Sequence, residues 1–341
     1  MNENRRKFLR NAAFTGTAAA AAAGTTLISV PAHAARERLA APDLPKKKLL
    51  GTVRRGGELH LACNTSQGIL DIVAAGQALG VAVPPTLDDL LAYGGAREVD
   101  DVVARAVVDN RLRRHFIRDA DAEFGPTLAR PEKIIMIGLN YRKHVAEMGQ
   151  TVPKTPLLFN KYNNALMGHR GRLRLPSAVA SEFDHEVELV IVMGRRARDV
   201  SEARALSHVA GYCTGNDFSA RDLQRVTSQF MLGKTCDDFA PLGPWMATAD
   251  LVPDPNVLDL WCDVNGERRQ SSNTADMVFN CAQLVSYISH HMTMQPGDII
   301  YTGTPEGVIA GRPQGQRVWL KAGDTVTCGI QALGELTVTL A

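Results

Sequence analysis

The string Asp184-His-Glu186-Val-Glu188-Leu-Val-Ile-Val sets two carboxylates at alternate positions just before an aliphatic run. On a strand, side chains at i and i+2 leave by the same face, so Glu186 and Glu188 project together. Like charges on one face repel unless a cation neutralises them, and the aliphatic run is too apolar for a solvated edge. Carboxylate oxygens suit Mg²⁺, Mn²⁺ or Ca²⁺, so one reading is a hard-cation site. The other is an amphipathic strand with two glutamates in water. Asp217 bears on that choice, because it ends the strand-like Val209-Ala-Gly-Tyr-Cys-Thr-Gly-Asn-Asp and precedes Phe218-Ser-Ala-Arg-Asp-Leu-Gln224. An acid at a strand end reaches a neighbouring strand's site; alternatively, Asp217 or Ser219 simply caps the helix that follows. Asp222 reads as a structural partner of Arg221 or a neighbour.

A third cluster is Gly138-Leu-Asn-Tyr-Arg-Lys-His144-Val-Ala-Glu147-Met-Gly149. Positions i and i+3 share a helical face, so His144 and Glu147 are expected to touch. A carboxylate beside an imidazole orients the ring and makes it a better base. Gly138 and Gly149 would let the segment move as a lid. An inert surface His–Glu pair is the alternative.

These residues need strands and short helices to position them. Strands are expected at Lys133–Gly138, Glu186–Met193, Val209–Thr214, Val257–Val264, Asp298–Thr302, Arg317–Lys321, Thr325–Gln331 and Glu335–Leu340. Helices are expected at Tyr141–Met148, Ser201–Leu206, Ala220–Ser228 and Met277–His290. Many short strands with few helices predict a β-rich α+β domain over residues 131–341. Residues 49–130 read as a small N-terminal α+β domain, with a strand near Leu59–Ala62 and helical periodicity at Gly68–Leu79, Thr86–Leu91 and Val99–Val108. No dinucleotide-binding glycine motif, P-loop or nucleophile elbow occurs, and no internal repeat is visible.

The N-terminus reads differently. Residues 1–34 have a basic head with Arg5-Arg6, a weakly apolar alanine-rich middle and an Ala32-His-Ala34 exit. That pattern predicts a twin-arginine signal peptide, hence export, with a periplasmic destination and no membrane span after cleavage. Residues 35–48 would be a flexible lead-in. The signal's four bases and one acid come off totals of 38 and 36, leaving 34 basic and 35 acidic residues in a body of net charge −1. A nearly neutral body gives no electrostatic reason for a nucleic-acid or membrane-surface partner. The six cysteines form no C-x-x-C pair, which argues against a cysteine zinc site and favours small buried hydrophobes.

From Lys133 to the C-terminus the motifs G-L-N-Y-x-x-H-x-x-E, F-D-x-E-V-E-L, N-D-x-S-A-R-D-x-Q, G-K-T, P-L-G-P, V-N-G-E, P-G-D-I-I-x-T-G-T-P-x-G-V and K-x-G-D follow in order. Together they resemble the fumarylacetoacetate hydrolase family. The resemblance implies a catalytic domain built as a mixed β-sheet roll, and a homodimer. It makes Glu186, Glu188 and Asp217 ligands of one Mg²⁺ or Mn²⁺ per chain. It makes His144 and Glu147 the catalytic pair, Lys234 a third catalytic residue, and Gln224 and Thr304 substrate contacts. The implied reaction is hydrolysis of a C–C bond in a 1,3-diketo acid such as an acylpyruvate or a fumarylacetoacetate-like compound. It would run through a metal-stabilised enolate and a water activated by the His–Glu pair. The same scaffold fits a 2-oxo acid decarboxylase or a keto–enol isomerase of the 2-hydroxyhepta-2,4-diene-1,7-dioate type. A keto-acid-binding protein without turnover is a further alternative.

Overall fold

The computed structural model describes residues 43–341, so the signal-peptide reading lies outside the described residues. Its centre is a ten-stranded sheet with spatial order Phe116–Ile117, Gly68–Asp71, Glu58–Thr65, Leu49–Arg55, Met246–Thr248, Val209–Asn216, Val187–Met193, Ile299–Tyr301, Ile134–Gly138 and Leu157–Lys161. Every neighbouring pair is antiparallel except Ile299–Tyr301 with Ile134–Gly138. The strands between Leu49 and Ile117 thus extend the same sheet that carries the acidic strand.

A second sheet has the order Glu267–Asn273, Asp259–Val264, Thr325–Ile330, Gly334–Leu340 and Gly171–Leu173. Its inner face and the helix Cys281–His291 pack on one side of the large sheet, joining Leu260, Val326, Val338 and Leu284 to Leu189 and Ile191. Helices Ile72–Leu79, Leu87–Tyr93 and Ala96–Val108 cover the other side, where Val190 and Val192 meet Leu61, Leu87 and Val99. Val187–Met193 is therefore buried on both faces, which explains its unbroken aliphatic sequence. The strand-rich architecture with segregated helices is the α+β class expected.

Three local departures have physical reasons. Glu267–Asn273 has no apolar alternation, yet it is a strand, because Asn265 at φ 53 and Gly266 at φ 80 turn the chain back on Asp259–Val264. The helix expected over Ala220–Ser228 stops at Gln224. The chain must fold back there to seat Gly233, where a Cβ would lie 2.4 Å from the Ala220 carbonyl oxygen. Arg317–Lys321 makes only an isolated bridge from Leu320 to Phe183, since Lys321 N–H turns to Asp324 Oδ2. Among the described residues, no helix is long and apolar enough to cross a membrane. All six cysteines are free, and five of them are buried.

Candidate active site

Glu186, Glu188 and Asp217 each offer a carboxylate oxygen, and these oxygens lie within 4.8 Å of one another. Strand alternation brings the two glutamates to one side. Register brings the aspartate, because Val187 pairs with Asn216 and so sets Asp217 beside Glu186. Two further bonds lock that junction: Glu186 N–H donates to Asn216 Oδ1 at 2.9 Å, and Asp217 N–H donates to the Glu186 carbonyl at 2.9 Å. All three carboxylates are buried.

Cations surround them unevenly. Lys234 Nζ contacts Glu186 Oε2 and lies 2.6 Å from Asp217 Oδ2. Arg221 Nη2 lies 2.6 Å from Glu186 Oε1, and Lys161 Nζ lies 2.7 Å from Asp217 Oδ1. Burial alone would raise the Glu186 carboxyl, but the charges of Arg221, Lys234 and His144 outweigh it and hold the group well below the carboxylate range. Glu188 has no cationic side chain of its own; its Oε2 accepts the Gly303 N–H at 2.7 Å. Burial, then the charges of Asp217 and Glu186, push it well above the carboxylate range. For Lys234, Asp217 and Glu186 overcome burial and raise the ammonium's pKa. For Lys161, burial prevails and lowers it.

The site also passes a test for a hard cation. Lys161 aims its N–H bonds at the carbonyls of Phe218 and Phe239, so buried Asp217 Oδ1 has an ion pair but no aligned hydrogen bond. Glu188, for its part, has no cationic side chain to match its carboxylate. An all-oxygen set with one carboxylate lacking a cation and one oxygen lacking a hydrogen bond fits a hard divalent cation.

His144 and Glu147 meet as their spacing predicts. Helix Arg142–Glu147 brings His144 Nδ1 to 3.1 Å from Glu147 Oε2, and Gly307 N–H donates to Glu147 Oε1 at 2.9 Å. Facing a carboxylate, Nδ1 is the N–H donor, so in the neutral ring the lone pair is on Nε2. His144, the three acids, Gln224 and Lys234 line one cavity of about 420 Å³. Glu147 supports His144 from behind. Thr304 is engaged elsewhere: its hydroxyl accepts from Gln270 Nε2 at 2.8 Å, and it is not among the cavity's lining residues.

The sequence reading missed three contributors. Asp222, expected to pair with Arg221 or a neighbour, accepts at Oδ2 the Ser181 backbone N–H at 2.7 Å and the Ser181 hydroxyl at 3.1 Å. Arg221 instead bridges Asp184, Glu186 and Gln224. Its i, i+3 spacing to Gln224 was the available signal. Lys161 sits at the end of the sheet's edge strand and carried no local signal. Asp184, two residues before Glu186, is fully buried and accepts from Arg221 Nε and three backbone N–H groups.

The chain is similar to known proteins throughout this region. Residues 133–341 match the family model described as "Fumarylacetoacetate (FAA) hydrolase C-terminal". A protein of Burkholderia orbicola (strain AU 1054) named "Putative hydrolase" is 43% identical over 270 residues, covering 79% of this chain and 92% of the relative. The 2-hydroxyhepta-2,4-diene-1,7-dioate isomerase from Mycobacterium marinum superposes with a TM-score of 0.64 at 30% identity, over 86% of this chain and 98% of that one. Fumarylpyruvate hydrolase from Pseudomonas aeruginosa, in complex with Mn²⁺ and pyruvate, superposes with a TM-score of 0.56 at 31% identity, over 62% of this chain and 90% of that one. On the match over residues 133–341 and these similarities, the chain belongs to the fumarylacetoacetate hydrolase family.

Proposed function

We propose that the protein is a divalent-cation-dependent hydrolase that splits an acylpyruvate, a 1,3-diketo acid, into a carboxylic acid and pyruvate. The observation that carries this reading is the convergence of Glu186, Glu188 and Asp217 with His144 and Lys234 on one cavity. Mg²⁺ or Mn²⁺ held by the three carboxylates supplies Lewis-acid polarisation of the substrate's oxygens.

The chain's own groups do the rest. His144 Nε2, its ring oriented by Glu147, takes a proton from water, whose oxygen bonds to the acyl carbonyl carbon. The resulting oxyanion accepts hydrogen bonds from Lys234 and from the Gln224 amide N–H₂, whose Oε1 is already occupied by Arg221. The C–C bond then breaks, and its electron pair passes to the methylene carbon of the pyruvate fragment. His144 Nε2 gives its proton to that carbon, completing pyruvate, while the acyl carbon leaves as the carboxylic acid.

Similarity to an isomerase keeps a second reading alive: the same acid–base groups could move a proton on a 2-oxo acid without attack by water. Mass analysis of products from acylpyruvates and oxaloacetate with Mg²⁺ or Mn²⁺ separates the readings. Two acids with one oxygen incorporated from labelled water mark hydrolysis, whereas conserved mass marks isomerisation and CO₂ marks decarboxylation. Full turnover after exhaustive metal removal would sink the proposal. Export by the twin-arginine route and a homodimeric state belong to the same proposal. They are checked by N-terminal sequencing of the periplasmic fraction and by light scattering.

A further inference from the structure

The cavity beyond the carboxylates has an unusual balance of lining groups. Five half-buried apolar side chains face it: Leu139, Met148, Leu157, Phe159 and Phe230. Phe159 and Phe230 pack edge to face with ring centroids 5.6 Å apart, and Lys234 Nζ stands 5.3 Å from the Phe159 centroid. The apolar wall therefore begins directly above the polar centre. Leu139 is held at φ 53, a conformation a leucine rarely adopts. Its neighbour Asn140 pins it there, with hydrogen bonds to both Phe279 backbone groups and to the Thr302 carbonyl. Such backbone persists only where the surroundings over-determine it.

Among the described residues, every cation lining the cavity is already matched, His144 by Glu147. Lys234 is paired with Glu186 and Asp217, Arg221 with Asp184 and Glu186, and Arg225 with Glu182. Gln150, exposed at the rim, carries no charge. A second carboxylate on the substrate would leave water for an apolar wall with no free cation to receive it, which is costly. An uncharged hydrocarbon group would bury both its own surface and that of the half-exposed rings.

We propose that the acyl end of the substrate is neutral and apolar, an alkyl or aryl acyl group of several carbons and not a second carboxylate. The proposal rests on the acylpyruvate reading above. A cavity of about 420 Å³ is large enough for such a group beside the pyruvyl end.

The test compares benzoylpyruvate, hexanoylpyruvate and fumarylpyruvate with the full Mg²⁺-loaded protein, by kcat/KM and by calorimetric affinity. The expected result is at least a tenfold preference for the two neutral acyl groups over fumarylpyruvate. Equal or better handling of fumarylpyruvate overturns the proposal. Phe230→Arg, or Leu157→Arg where the first variant does not fold, should narrow or reverse the preference; an unchanged ratio in a folded variant also counts against it. Should none of the three compounds turn over, the hydrolase reading falls and the affinities still decide the acyl class. Tighter binding of benzoylpyruvate then sustains it, and equal or tighter binding of fumarylpyruvate overturns it.

Discussion

Asp184 Oδ1 accepts the Ile309 N–H at 2.8 Å, tying the string that carries Glu186 to a loop 125 residues further along the chain. Asp184 Oδ2 takes the Ala310 N–H at 2.9 Å and Arg221 Nε at 2.9 Å. The same loop supplies the Gly307 N–H to Glu147, and a Cβ at Gly311 would lie 2.3 Å from Glu147 Cδ. One buried carboxylate thus holds both the guanidinium beside Glu186 and the loop that seats Glu147.

Asp184→Asn should therefore weaken fold and site together. An amide has one accepting oxygen and a donating N–H₂, so a backbone N–H or the guanidinium is left without a buried partner, at a cost of roughly 1–3 kcal/mol. Thermal unfolding should fall by several degrees, and kcat should drop more than KM rises. An unchanged melting curve would show that these bonds hold nothing.

Glu188→Gln tests the metal reading from the opposite direction. Glu188 is the carboxylate with no cation of its own, so neutralising it should leave the metal-free protein as stable as the parent or more so. The rise in melting temperature on adding Mg²⁺ or Mn²⁺ should vanish with the activity. A parent-like rise in the variant would remove Glu188 from the site.

Lys234→Ala should cost turnover about 10²–10³-fold, the usual loss for one oxyanion donor. The burial of its ammonium between two acids adds a second expectation. Removing it leaves Glu186 only Arg221 and Asp217 only Lys161, so the metal-free variant should lose up to roughly 3 kcal/mol. Saturating Mg²⁺ should restore much of that stability but not the rate, as calorimetry and steady-state kinetics would show together.

His144→Asn should lower kcat by about 10²–10⁴-fold with little change in metal affinity. Glu147→Gln should lower it less, because the amide oxygen still accepts from Nδ1 while the charge is lost. Equal losses in the two variants would mean that Glu147 has a direct chemical role.

His169 gives a pH dependence remote from the acidic centre. Burial, then the charge of Arg170, pushes its pKa down to about 4, and Nδ1 accepts the Thr337 N–H at 3.0 Å. The unfolded chain protonates near the ordinary value of 6.5, so between these limits it binds more protons than the native state. Stability present above pH 6.5 is thus lost as pH falls toward 4. His169→Gln, whose oxygen still accepts from Thr337, should flatten melting temperature against pH over that window.

Much of the frame was legible in sequence because it depends on local periodicity. Alternation placed Glu186 and Glu188 on one side, helical spacing brought His144 to Glu147, and an unbroken aliphatic run marked a strand buried on both faces. Elements set by partners were not legible. Leu157–Lys161 is an edge strand without a clean pattern, and Glu267–Asn273 is held by its Asn-Gly turn and its neighbour.

The sequence by itself determined the acidic pair, the His–Glu pair, the family motifs from Lys133 onward and the β-rich class, since each is written within a few residues or as an ordered series. Only the tertiary structure decided which charges meet. Lys161, Arg221 and Lys234 converge on the acids from three separate segments, and Thr304 turns to Gln270 instead of the cavity. Those pairings arise from strand register and chain reversal, which bring distant residues within 3 Å and which no short window of sequence encodes.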